Sequence, residues 1–289
     1  MNTTVKIILG LVGVVILAAI VCVAGMTMIT NNFINNSFEV AAENLAISGG
    51  DEALARGEHI ASAWGCRDCH GENLGGTVLI DDAAMAYLPA PNLTAGQGGV
   101  GATYTPIDWV RAIRHGVRPN GESFIIMPSA EYYWMSDADL TALITYLYNL
   151  PPVDNDLGTR SFGPVGRMLV YTGQIPLQAS QINHTAPRPE PEPGMTVEYG
   201  SYLASTCRGC HGPNLNGIGG HADPAGPSAT DLTSSGPIGD WSEEDFINTL
   251  RSGTTPYGKA MDPMYMPWTA IGQMTDEELG ALWMYLQSL

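Results

Sequence analysis

Basic residues are scarce in this chain. Twelve lysines and arginines stand against 29 aspartates and glutamates, for a formal net charge of −17 at pH 7. Only two lysines occur, Lys6 and Lys259. A chain this acidic has no electrostatic route to a phosphate backbone, so nucleic-acid partners are excluded. Charged residues make up only 14% of the chain, while 45% are hydrophobic, which rules out disorder throughout. Cysteine is sparse too: Cys22, Cys66, Cys69, Cys207 and Cys210. An odd count, with four of the five in two CxxC pairs, is not the composition of a disulfide framework. No phosphate-binding glycine loop and no Ser/His/Asp set is visible, so no catalytic residue is assigned. What the sequence has in quantity is glycine (34) and proline (20), which points to a loop-rich fold with short helices. Its 289 residues suit about two domains.

The first segment sets the compartment. Ile7 to Ile29 is an uncharged run of 23 residues. As a helix it spans about 34 Å, against roughly 30 Å of bilayer hydrocarbon. A cleaved signal peptide has an apolar region of only ~7–15 residues and a small-x-small site, for which Ala24-Gly25-Met26 is a poor match. Val21 is too bulky before Cys22 for a lipoprotein site. Residues 1–35 therefore read as a single-pass anchor in the cytoplasmic membrane. Lys6 precedes the run and no basic residue follows it until Arg56, which places the remainder on the extracytoplasmic side.

That remainder is one unit written twice, over residues 45–153 and 195–289. Cys66-Arg67-Asp68-Cys69-His70 recurs 141 residues on as Cys207-Arg208-Gly209-Cys210-His211. Pro91-Asn92-Leu93-Thr94 matches Thr230-Asp231-Leu232-Thr233, and Met127-Pro128 matches Met266-Pro267. Thr105-x-x-Asp108 and Ser242-x-x-Asp245 read as capping boxes that open a helix in each unit. Terminal helices follow Ser136 and Thr275, with apolar spacing at Leu140, Leu143, Ile144, Leu147 and at Leu279, Leu282, Trp283, Leu286. Gly57 and Gly200 lie in a short helix before each CxxCH and allow another helix to cross closely, with Tyr146 and Tyr285 as partners. Residues 154–194 connect the units. The alternating prolines from Pro187 to Pro193 favour a semi-rigid polyproline spacer, and residues 160–177 are the portion placed to pack on the domains.

CxxCH has a specific chemical use. Two thiols form thioethers to the vinyl groups of a c-type haem, and the adjacent histidine ligates its iron. A zinc ribbon brings its CxxC pairs within ~15–20 residues, far closer than these. A redox dithiol belongs near a βαβ pattern, which is missing. Cys66, Cys69, Cys207 and Cys210 are thus the expected attachment points of two covalently bound haems c, and His70 and His211 the iron ligands. Methionine is a common sixth ligand and favours ferrous iron. Met127 and Met266 recur in a loop, before proline, and are the expected pair. Met264 is the rival of Met266, whereas Met135 and Met274 flank helix caps as packing residues. His59, His115, His184 and His221 would serve a bis-histidine alternative, but none recurs at an equivalent position. Arg114 and Arg251 either meet haem propionates or are helix-end cations. Pro91 and Pro227 are candidates to offer a carbonyl to the histidine Nδ1.

These motifs resemble the class I cytochrome c family. The phrase from Arg114 to Gly121, with Met127-Pro128 and Met135-Ser136-Asp137-Ala138-Asp139-Leu140, is similar to membrane-associated multihaem cytochromes c. That group includes the cytochrome subunits of quinoprotein alcohol dehydrogenases. The resemblance implies an all-α fold, here an N-terminal transmembrane helix followed by two tandem class I cytochrome c domains. It implies haem held in a cleft between His and Met, and electron transfer instead of catalysis. The partners implied are the membrane and redox proteins, including those of a membrane oxidoreductase complex. Two other functions fit the motifs: a haem subunit of a dehydrogenase complex, and a dihaem enzyme with one open iron.

Overall fold

The structure is a computed structural model and describes residues 2–47, 49–217 and 226–289; His221, one of the histidines of the bis-histidine alternative, lies outside these. The uncharged run lies in α1 (Thr3–Ile34), the one helix among the described residues long and apolar enough to cross a membrane. It continues past the apolar run because Thr27 and Thr30 turn their hydroxyls back onto the carbonyls of Val23 and Met26, at 2.8 and 2.9 Å. Neither proline nor glycine occurs between Met26 and Ile34.

The first unit runs through α2 (Asp51–Ala63), α3 (Cys66–His70), a hairpin of β1 (Thr77–Asp82) and β2 (Ala86–Ala90), α4 (Pro106–His115), α5 (Ser129–Tyr132) and α6 (Asp137–Tyr148). The connecting segment holds β3 (Ser161–Phe162), α7 (Pro164–Tyr171) and a 3-10 turn at Gln178–Gln181. The second unit repeats the helices as α8 (Val197–Leu203), α9 (Arg208–His211), α10 (Glu243–Ser252), α11 (Trp268–Ile271) and α12 (Asp276–Gln287).

The molecule is helix-rich, but not all-α as expected. β1, β2 and β3 form an antiparallel sheet in that order. Asp82 makes the hairpin turn possible, because its Oδ1 accepts the N–H groups of Ala84 and Met85 at 2.9 and 2.8 Å. β3 comes from the connecting segment and pairs Phe162 with Ala86.

Helix ends follow the sequence closely. Reciprocal capping boxes close at Thr105/Asp108, Ser242/Asp245 and Thr275/Glu278. Helix crossings do as well. A Cβ on Gly57 would overlap the carbonyl of Ala142 on α6, and one on Gly200 the carbonyl of Ala281 on α12. Tyr146 and Tyr285 press on the same glycines, with their Cβ atoms 2.6 and 2.8 Å from where that carbon would sit.

One core runs through both units. Trp64 of α2's C-terminal end lies between Tyr132 and Tyr202, with ring centroids 6.1 and 5.7 Å away. Two polar contacts join the units reciprocally. His59 on α2 meets Glu278 on α12 at 2.8 Å, and Tyr202 on α8 donates to Asp139 on α6. Glu131 of α5 packs its side chain on Gly209 of α9.

The proline-rich segment is fastened down as well as extended. Arg188 pairs with Glu43 at 2.7 Å, Tyr133 donates to the Ala186 carbonyl at 2.6 Å, and Glu190 accepts the Asp137 N–H at 2.7 Å.

Candidate functional site

Gly65, in the left-handed region at φ 74°, lets the chain turn from α2 into the short helix that carries Cys66, Cys69 and His70. These three residues line a cavity whose far walls include Trp109, Leu143 and Met127. His70 is buried, and its Nδ1 donates to the Pro91 carbonyl at 2.8 Å. A carbonyl only accepts, so the ring proton sits on Nδ1 and the lone pair on Nε2, as a metal-binding imidazole requires. Pro91 was the expected partner. In the second unit His211 Nδ1 donates to Thr230 O at 2.6 Å, so the expected Pro227 is corrected to Thr230. Thr230 is the repeat position of Pro91; register, and not residue type, fixes the carbonyl.

The loop after each histidine is braced identically. Gly76 and Gly217 donate to the carbonyls of His70 and His211 at 2.8 and 3.1 Å. Leu93 and Leu232 donate to those of Leu74 and Leu215, both at 2.8 Å. Leu74 and Leu215 are fully buried and are the non-glycine residues with positive φ among the described residues, at 56° and 58°. Such strain at matching positions marks a backbone shape set by the site.

Met127 and Met266 are half-buried and pack against the core. Each is followed by the same turn: Ser129 donates to Met127 O at 2.8 Å, and Trp268 to Met266 O at 2.7 Å. Met264 is 82% exposed and turned away from the core. Met135 and Met274 are buried packing residues, each 1% exposed.

Burial raises all four paired thiols. It pushes Cys66 up to about 12 and Cys207 up to about 11. A dithiol exchanger needs the opposite, a thiol lowered toward neutrality. Among the described residues, no group of three His, Cys, Asp or Glu side chains could hold a metal ion, and the two cysteine pairs lie in separate units.

Among the described residues, the other histidines have structural partners. His115 lies between His184 (3.0 Å) and Glu43 (3.3 Å). Burial lowers its pKa to about 4, against the pull of Glu43. Burial acts to raise Glu43, but a backbone hydrogen bond, Arg114, His115 and Arg188 together hold it at about 2. Arg114 is fully buried against Glu43 (3.4 Å), Asp137 (2.8 Å) and the Met135 carbonyl (2.8 Å), away from the cavity. Arg251 is taken up by Asp276 and the Gly272 carbonyl.

The cavity's own cations are Arg118 and Arg160, which sequence reasoning missed. Arg118 stands over the Phe124 ring at 4.6 Å, and its buried Nε has no partner. Arg160 holds Glu122 and the Ser123 carbonyl at 2.9 and 3.0 Å. Trp109 adds a second buried donor without a partner. Two guanidiniums and an orphaned donor in an apolar cavity suit a planar group that carries carboxylates. The thiols, the oriented imidazole and the thioether fit the same group. Arg118 could have been read from the Arg114–Gly121 phrase; Arg160 lies in the connecting segment and carries no motif.

The family model described as Cytochrome c matches residues 197–289, and the one described as Cytochrome C oxidase, cbb3-type, subunit III matches residues 52–147. Both segments are cytochrome c domains. The chain is 27% identical to the gluconate 2-dehydrogenase cytochrome c subunit of Pantoea cypripedii, over 88% of this chain and 62% of that one. It is 26% identical to the cytochrome c subunit of a quinone alcohol dehydrogenase of Gluconobacter oxydans, over 83% and 55%. It is 29% identical to a diheme cytochrome c-type protein of Cereibacter sphaeroides, over 81% and 84%. The chain thus spans little more than half the length of the two dehydrogenase subunits. Cytochrome c domains bind haem c covalently and transfer electrons, and the two oriented histidines described above belong to them.

Proposed function

We propose that this is a membrane-anchored dihaem c-type cytochrome that passes single electrons between redox partners on the outer face of the cytoplasmic membrane. Two tandem class I domains, 45–153 and 195–289, follow an anchor over 1–35 and are joined by 154–194. Cys66 and Cys69 carry one haem, Cys207 and Cys210 the other. His70 with Met127, and His211 with Met266, would hold the two irons. When bound, each haem supplies a one-electron iron couple, and the thioether biases it toward the ferrous state. The protein's part is to fix the imidazole tautomer, exclude water from the cleft and place Arg118 and Arg160 against the propionates.

The observation that carries this reading is the cavity wall of the first unit, where both thiols, the His70 ring and Met127 meet. The relatives named as dehydrogenase subunits make a membrane dehydrogenase the favoured electron donor. A dihaem enzyme would need one open iron, and two matched methionines speak against that.

Met127→Ala should remove about half of the far-red sulfur-to-iron band of the oxidised protein and open one haem to carbon monoxide. Met266→Ala should do the same to the other, and Met264→Ala should change neither. Carbon monoxide binding by the unmodified reduced protein would overturn the electron-carrier reading in favour of an open iron. An open haem in Met264→Ala but not in Met266→Ala would reassign the second ligand.

A further inference from the structure

α1 is 32 residues long, about 48 Å, whereas the hydrocarbon core takes roughly 30 Å. Counted from Ile7, the core is used up near Met26. The last two turns emerge as unbroken helix and enter the protein. Thr30 and Ile34 on those turns are each only 1% exposed. Ile34 packs with Ile125, Val170 and Leu177 in a small core of its own. The anchor is therefore a rigid post seated in the first unit.

α7 is the helix packed along that post. Phe33 and Tyr171 meet edge to face, with centroids 5.6 Å apart. Arg167, the only charged residue of α7, is turned inward to Asn31 and to the Phe162 carbonyl. Gly166 and Val170 face the protein. On the other side Val165 and Tyr171 are 46% and 45% exposed, with Leu169 one turn beyond Val165 and half-buried. This outer face is apolar and uncharged, with a tyrosine and a phenylalanine at its edge, as in the aromatic belts of membrane proteins.

Charge favours the same surface. No aspartate or glutamate occurs in residues 1–38 or in residues 157–189, although the chain holds 29. α1 and α7 bring those two stretches together. On the neighbouring hairpin Asp81 and Asp82 are exposed, and Asp82 also holds the turn. A carboxylate is costly to take out of water, so a strongly acidic protein rests on a bilayer through a face poor in them.

We infer that α7 lies in the bilayer surface beside the exit of α1, and that the first haem site is the membrane-side end of the relay. The inference rests on the anchor reading proposed above. Ile125 ties it to the chemistry, because that residue belongs to the Ile34 cluster and also lines the first cavity. A single layer of side chains separates the post from the cavity.

The test uses the full-length holoprotein in phosphatidylcholine vesicles that contain a lipid with a photoactivatable diazirine on its acyl chain. Labelled peptides are mapped by mass spectrometry after irradiation. Label on both α1 and the peptide carrying Val165, Leu169 and Tyr171 is expected. Label on α1 with none on α7 would overturn the inference and leave the anchor intact; a protein partner would then be the occupant of this face. Absence of label from both would overturn the anchor as well. Val165→Glu, at an exposed position, should cut labelling of α7 severalfold while label on α1 and haem content stay unchanged. Undiminished α7 labelling in that variant would overturn the inference.

Discussion

Gly57 lets α2 cross α6, and Gly200 lets α8 cross α12, by the same contact with a carbonyl and a tyrosine Cβ. Leu74 and Leu215 share a strained backbone conformation, and each histidine gives its Nδ1 proton to the same loop position. Around the first site, however, stand Arg118, Arg160 and the β1–β2 hairpin. In the second, Thr255 occupies the repeat position of Arg118. The residues that repeat are those that build the fold and aim the ligands. Two that differ, Arg118 and Arg160, gather at Glu122, which bridges to Ser37 just beyond α1.

The largest expected effect tests the shared part. Gly57→Ala and Gly200→Ala each force a Cβ into a backbone carbonyl and should destabilise the protein by about 1–3 kcal/mol, read by denaturant unfolding. Similar losses would support equivalent crossings; a neutral effect at one glycine would break the equivalence.

The next effect tests the difference. A cation beside an iron favours the reduced form, so Arg118→Gln and Arg160→Gln should each lower one of the two potentials and leave the other in place. The expected change is a fraction of the ~59 mV that a tenfold shift in a one-electron couple represents. Spectroelectrochemical titration checks it, and equal movement of both potentials would remove the arginines from the first site.

The smallest effect concerns the contacts between the units. The hydrogen bond that His59 donates to Glu278 raises its pKa, opposed by burial and by Arg56, with Asp139 assisting. Tyr199 also reaches Glu278, at 3.4 Å. A raised folded-state value means that the ion pair stabilises fully below the ordinary value of ~6.5 and fades as pH rises through the raised one. His59 is 30% exposed, so the loss should stay below ~1 kcal/mol. His59→Gln should flatten that slope; a slope unchanged in the variant would place its origin elsewhere. The Tyr202–Asp139 contact should add nothing in this range, because burial and Asp139 push Tyr202 well above its usual value.

Much of this was legible in the chain. Capping boxes, crossing glycines and the CxxCH turns are local signals, written within a few residues, and they recur. The Pro91 carbonyl was legible for the same reason. Thr230 was not, because proline drew attention to Pro227 when the repeat register pointed three residues further on. Arg114 was legible in part, as a helix-end cation. Its helix-end position said nothing of Glu43 and Asp137, two carboxylates far off in sequence that claim it. The hairpin was missed because β1 and β2 lack clean alternation and have no described counterpart in the second unit. Arg160 needed the path of the connecting segment, which no periodicity encodes.

Asp139 and Glu278 occupy the third position of α6 and α12, where a carboxylate ordinarily serves only its own helix. At α12 the Glu278 carboxylate both closes the capping box and receives His59; at α6 Asp139 is given over to Arg56 and Tyr202, and the Ser136 N–H at the helix start donates to the Tyr202 hydroxyl instead, at 3.3 Å. Helix initiation and docking therefore draw on one set of atoms. Cleaving the chain between residues 154 and 194 would not release two independent beads. Each half would keep a raw apolar face around Trp64 or Tyr202 and a helix start deprived of its cross-partner. The pair should melt as a single cooperative body, and a separately expressed half is a poor stand-in for its share of the whole.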